Sequence, residues 1–206
     1  MNKILYPSYE MKFHVNDSLL YNPLFVLLKS LDVVIDEIKI PFTKTSEPML
    51  WRMIPIWEDY DCVFSRDIDS IPNRNEFRST VYFEKSNHSI QTIRSHENHY
   101  HEMGCDMLGG LSGFKSKLIQ RKPKTFDDYY SSRENLPWAQ DQFLMVNTFL
   151  VSQDRAYLET NFLDCPIDNQ NRKSVFMHST IPTDFQVETT NVQEEVLSLV
   201  DSYKNF

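Results

Sequence analysis

Asp67 and Asp69 stand one residue apart in Ser65-Arg66-Asp67-Ile68-Asp69-Ser70, directly after the apolar run Cys62-Val63-Phe64. Carboxylates this close repel each other unless a cation joins them, and such oxygen ligands suit a hard divalent ion. An ion held there can bridge to a nucleotide diphosphate and stabilise charge on a departing phosphate. The plainer reading is an acidic turn in which Asp69 caps a helix. Position favours the first reading: acids just past the end of a core strand stand where open α/β sheets bind ligands.

Other residues carry chemistry that belongs with such a pair. Arg52 and Arg66 offer guanidinium groups, which suit diphosphate oxygens; alternatively they hold the acids by salt bridges. Asp141, in Trp138-Ala139-Gln140-Asp141-Gln142, falls in the first turn of an expected helix. It reads either as an ordinary helix-start acid or as a general base toward a hydroxyl. His178 follows Val175-Phe176-Met177 at an expected strand end, as a third metal ligand or as an ordinary terminal histidine. His96, His99 and His101 lack the spacing of a helical zinc site and have no cysteine pattern beside them. Three of the chain's 4 glycines, Gly109, Gly110 and Gly113, lie close together, as a bulged strand or as a backbone shelf for a ligand.

Elements must bring these residues together. Lys3 to Tyr6 reads as a strand stopped by Pro7. Asp17 or Ser18 opens a helix to about Ser30, Asp32 to Ile40 is a β-branched strand, and Ser46 to Trp57 is a helix with Pro48 in its first turn. Asp61 to Ser65 is the next strand. This alternation predicts an α/β fold with a mostly parallel central sheet flanked by helices. Beyond the acids, helices are expected over Asn75–Ser86, Phe126–Glu134, Trp138–Val151 and Val192–Tyr203. Strands are expected at Ile90–Arg94 and Val175–Met177. The length of 206 residues fits one domain, with a nucleotide-binding part over about 1–70 and an acceptor and catalytic part over about 71–206.

Bulk composition narrows the partners. With so few glycines there is no GxGxxG or GxxxxGK[ST] cradle, so metal and arginine must neutralise any phosphate. A net charge of −8 without a dense Lys/Arg run argues against nucleic acid. Cys62, Cys105 and Cys165 are odd in number and widely spaced, as reduced thiols are. Pro7 interrupts the N-terminus before any signal-peptide core, and no apolar stretch is long enough to span a bilayer, so a soluble cytoplasmic protein is expected.

In order along the chain, the pieces resemble a nucleotide-sugar glycosyltransferase of the GT-A fold, which is Rossmann-like. The resemblance rests on Trp51-Arg52-x-x-Pro55, Ser65-Arg66-Asp67-Ile68-Asp69-Ser70 and Arg74-x-Glu76. It continues through Ile93-Arg94-x-His96-x-x-His99, Gly109-Gly110-x-x-Gly113, Asp141-Gln142 and His178, covering about residues 50–180. It implies Mn²⁺ or Mg²⁺ on Asp67 and Asp69, with His178 completing the metal shell. Ser179 follows that histidine where related sequences often carry Asp. It further implies a nucleoside cradled near Tyr6, Pro7, Ser8 and Tyr9, and Asp141 as base. The donor would be a nucleoside-diphosphate sugar, a UDP-sugar first, and the acceptor a glycan or glycoprotein hydroxyl. The chain is short for the class, which implies one module of a longer transferase. Its compact form is similar to transferases with which large DNA viruses glycosylate their capsid protein, making a viral capsid protein one acceptor to consider. Two other classes remain open: a non-catalytic nucleotide- or sugar-binding module, and a metal-dependent nucleotidyltransferase or phosphohydrolase.

Overall fold

Residues Asn2–Leu5 form a short helix, α1, where a strand is expected. Leu5 is the reason: it is buried against Phe77 and Leu197, and its carbonyl accepts from Gln193 Nε2 at 2.9 Å. One anchored residue replaces the alternating pair of faces that a strand needs. The structure is a computed structural model and describes residues 2–42, 44, 46–67, 70–94, 107–119, 123–133, 140–151, 155–166, 181–182 and 184–203.

The first strand comes later, as β1 (Met11–Val15), and pairs in parallel with β2 (Val33–Glu37) from Met11↔Val33 to Val15↔Glu37. Helix α2 (Pro23–Ser30) connects them. Asn22 caps it by accepting from the Leu24 amide at 2.9 Å, and Pro23 sits where no intrahelical N–H is needed.

Glu47–Trp57 is helical as expected, but it is a 3₁₀ helix. Of its buried residues, Glu47, Leu50, Met53 and Ile56 recur every third position, one face of a helix with three residues per turn, and Trp51 is buried beside that row. Pro55, inside the segment, disfavours an α ladder by removing an N–H and crowding the carbonyl four residues back.

A four-stranded sheet follows: β3 (Val63–Arg66), β4 (Ile90–Arg94), β5 (Leu111–Phe114) and β6 (Phe162–Pro166), in the order β3-β5-β4-β6. The fold is mixed α/β with two small sheets, and the expected parallel alternation is only partly met. The β3/β5 and β5/β4 neighbours are antiparallel, and β4/β6 is parallel. Strand β5 therefore runs against three strands that share one direction. Gly113 permits this insertion, since a Cβ there would meet the Phe64 ring at 2.7 Å and Gln91 Oε1 at 3.0 Å. The topology has one consequence for function: the C-terminal end of β3, leading to Asp67, and the approach to β5, Gly109-Gly110, meet at one end of the strands.

Helix α3 (Arg74–Lys85) covers one face, packing Phe83 with Ile93, Leu111 and Leu163. The other face, with Val63, Phe114, Ile90 and Phe162, packs against three helical segments. These are the 3₁₀ helix, α4 (Phe126–Ser131), and α5 (Gln140–Val146) with its π-helical continuation Asn147–Val151. Helix α6 (Arg155–Asn161) leads into β6, and α7 (Asn191–Tyr203) matches the expected last helix. The expected strand at 175–177 lies outside the described residues. Among the described residues, no helix is long and apolar enough to cross a membrane.

Candidate functional site

Strand β3 alternates in burial, with Val63 and Ser65 buried and Phe64 and Arg66 half-buried. Arg66 thus faces α3, where its Nη2 donates to Glu76 Oε2 at 2.7 Å. Glu76 is buried and also accepts from Asn73 Nδ2 at 2.7 Å. Asn73 caps α3 by accepting from the Glu76 amide at 3.0 Å. Arg66 thus has a partner on the helix; the expectation that it steadies the diphosphate or the acid pair involves Asp69, which lies outside the described residues.

Asp67 is the next residue. Its Oδ1 accepts from Arg52 Nη1 at 2.6 Å, a short charge-assisted contact. Arg52 comes from the 3₁₀ helix, and its Nε donates to the Met49 carbonyl at 2.9 Å. On the neighbouring turn, a Cβ on Gly110 would fall within 3.0 Å of the Asp67 carboxylate. A Cβ on Gly109 would crowd Asp141 Oδ2 as closely and lie 3.3 Å from Arg52 Nη1. Ser65 Oγ pins the turn by donating to the Gly109 carbonyl. Two acids, one arginine and two glycines from four separate segments therefore share one point.

The two acids differ. The Asp67 side chain is 47% exposed. Asp141 is 1% exposed, and among the described residues neither of its carboxylate oxygens has a hydrogen-bond partner of ordinary geometry. Burial raises its pKa above the ordinary carboxylate value; Arg52 opposes that shift, as do the nearby amides of Gln142 and Asp141 itself, and the charge of Asp67 adds to it. The Tyr129 phenol is fully buried nearby, and burial, reinforced by Asp141, pushes its pKa far up.

A cavity of about 530 Å³ opens at Arg52 and Asp67. Tyr6, Tyr9, Phe64 and Arg66 line it, and it extends to Lys12, His14 and Tyr60. Tyr6 and Tyr9 close a turn through the Tyr9 amide and the Tyr6 carbonyl at 3.1 Å. Pro7 and Ser8, within that turn, are exposed and do not line the cavity. Asp141, Gly109 and Gly110 lie beyond its lining, adjoining it through Arg52 and Asp67. Cys62 also lines it as a free, half-buried thiol whose pKa burial pushes up to about 12.

The structure thus brings together Arg52, Asp67, Gly109, Gly110 and Asp141. Asp69, His178, His96, His99 and His101 lie outside the described residues. Among the described residues, no group of three or more His, Cys, Asp or Glu is arranged to hold a metal ion. Sequence reasoning missed the contact of Ser65 with the Gly109 carbonyl, Glu76 as the partner of Arg66, and the strand that contributes Lys12 and His14. The alternation Met11, Phe13, Val15 was the available signal for that strand. No protein-family model, curated protein or solved structure matches this chain.

Proposed function

We propose that the chain is a metal-dependent glycosyltransferase of the GT-A type. It moves a sugar from a nucleoside-diphosphate sugar, a UDP-sugar first, to a hydroxyl of a glycan or glycoprotein. The observation that carries the reading is the convergence of Asp67, Arg52 and Asp141 on the Gly109-Gly110 turn beside a cavity of about 530 Å³.

The residues present fit a divalent cation. Gly110 leaves the Asp67 carboxylate room that any Cβ would fill, and Asp141 brings a buried acid whose two oxygens have no hydrogen-bond partner of ordinary geometry among the described residues. Asp67, together with Asp69 and His178 from the sequence pattern, would hold Mn²⁺ or Mg²⁺. When bound, the ion supplies Lewis-acid stabilisation of charge on the departing diphosphate.

The chain's own side chains carry the remaining work. The Arg52 guanidinium offers donors to diphosphate oxygens at the cavity end. Tyr6 and Tyr9 present aromatic faces where the nucleoside would lie. Asp141 takes the proton of the acceptor hydroxyl, and its raised pKa suits a base that must release that proton again. One base without a second enzymic nucleophile corresponds to inversion, by analogy with glycoside hydrolysis. An acid this buried meets a hydroxyl only after the Arg52 side of the site has shifted.

The test is thermal stabilisation by UDP, UDP-glucose and GDP, each with and without Mn²⁺, followed by metal-dependent release of UDP from UDP-sugars. Stabilisation by UDP that requires Mn²⁺, with release abolished in D67N and D69N, is expected. Stabilisation without turnover would instead mark a binding module, and release that D69N leaves untouched would remove the metal assignment.

A further inference from the structure

We infer that Arg52 is the site's removable counterion: it neutralises Asp67 while the site is empty and passes to the anionic ligand when a divalent cation takes Asp67. The inference rests on the metal-dependent reading above and assigns a separate positioning role to one residue within it.

Arg52 Nη1 and Asp67 Oδ1 are 2.6 Å apart, so the arginine stands where an ion approaching that oxygen would have to stand or pass. The two positive charges cannot share the carboxylate at that range without strong repulsion. The exposures favour exchange: Asp67 is 47% exposed along its side chain and Arg52 19%, so an ion reaches the acid from solvent while the guanidinium lies deeper. Arg52 is tethered at Nε by the Met49 carbonyl, 2.9 Å away, which leaves its outer nitrogens to swing about a fixed point. The cavity that Arg52 lines is the space into which they can turn.

Displaced from Asp67, the guanidinium needs an anion, and a diphosphate in the cavity supplies one. Metal and diphosphate therefore bind each other's state of the site. Each tightens the other by the same factor, as coupling between two ligands requires. Metal alone binds weakly because it must displace Arg52.

Calorimetry on the full chain separates this role from a merely structural one. Mn²⁺ alone is titrated into wild type, R52Q, R52K and D67N, and UDP is then titrated at saturating Mn²⁺. R52Q is expected to bind Mn²⁺ about tenfold tighter than wild type and UDP about tenfold weaker. R52K, which keeps the charge but not the planar fork, should bind Mn²⁺ like wild type and UDP more weakly. Unfolding midpoints confirm that each variant is folded. If R52Q binds Mn²⁺ no tighter, or binds both ligands more weakly, Arg52 only orients Asp67 and the inference is overturned. Mn²⁺ binding that D67N abolishes and R52Q leaves unchanged removes the inference alone. Mn²⁺ binding absent from wild type even in the presence of UDP removes the functional reading and this inference together.

Discussion

The Gly109 backbone lies against Asp141 and the Gly110 backbone still more tightly against Asp67, yet the two contacts differ in what can yield. Asp67 borders a cavity and is half exposed, so its carboxylate can rotate away from an added methyl group. Asp141 is 1% exposed and has no such room. G110A should therefore cost about 0.5 kcal/mol or less, while removing Mn²⁺-dependent stabilisation by UDP because Asp67 has moved. G109A should cost about 1–3 kcal/mol by overpacking. Urea unfolding of the two variants checks the order; equal losses would mean that the two acids are equally free.

Asp141 stands at odds with stability. Burial raises its folded-state pKa above the unfolded value of 3.8. Below that value both states hold the proton and the group contributes nothing. As pH rises through 3.8 the unfolded chain releases its proton first, so stability falls until pH passes the folded value and stays lower above it. D141N removes the penalty. It should raise the unfolding midpoint at neutral pH by a few degrees, with the gap to wild type closing toward pH 3. Turnover should fall by about 100-fold or more as the base is lost. A D141N variant less stable than wild type at pH 7 would show that the carboxylate is held by partners after all.

The centre of the site was legible because it depends on local pattern. An apolar run ending in acids announces a strand end, and clustered glycines in a glycine-poor chain announce close backbone approach. Neither signal contains the direction of β5, which is set by pairing between residues as distant as Phe64 and Gly113. The helical state of Asn2–Leu5 likewise depends on Leu197 and Gln193 near the other end of the chain. The 3₁₀ character of Glu47–Trp57 was not readable from the apolar spacing, since Trp51 is buried beside the three-residue row of Leu50, Met53 and Ile56 and gives the mixed spacing of an α-helix. The helix was placed correctly and its pitch was not. Glu76 escaped notice as the partner of Arg66 because a glutamate in the third helical position already has a capping role to explain it.

That glutamate anchors the approach to Asp67. Glu76 accepts from Arg66 Nη2 and Asn73 Nδ2, both at 2.7 Å, in a buried position. Removing it leaves a half-buried guanidinium and a buried amide without their acceptor, which should cost about 3 kcal/mol. E76A should therefore unfold at markedly lower denaturant. E76Q, which keeps an acceptor oxygen, should recover much of the loss. Because Arg66 directly precedes Asp67, E76A should also weaken Mn²⁺-dependent UDP binding at temperatures where the protein remains folded. A loss in E76Q as large as in E76A would mean that charge, rather than the acceptor geometry, is what Arg66 requires.

His14 and His88 offer an internal control for pH dependence. Burial lowers the pKa of both below 6.5; Asp36 opposes the shift at His14, while the charge of Lys12 at His14 and of Lys115 at His88 adds to it. Above 6.5 both residues are neutral in the folded and unfolded states, and stability is unaffected. As pH falls below 6.5 the unfolded chain gains protons that the folded chain resists, so stability is lost on the acid side. H14Q and H88Q should each shrink that loss. They should differ in ligand binding, because His14 lines the cavity and His88 does not. A nucleotide that contacts the neutral His14 ring should bind more weakly as pH drops from 7 to 5. H14Q should flatten that dependence and H88Q should leave it intact. Measuring UDP affinity at saturating Mn²⁺ across this range decides the matter, since an identical response in the two variants would mean that the ligand stops short of the His14 end.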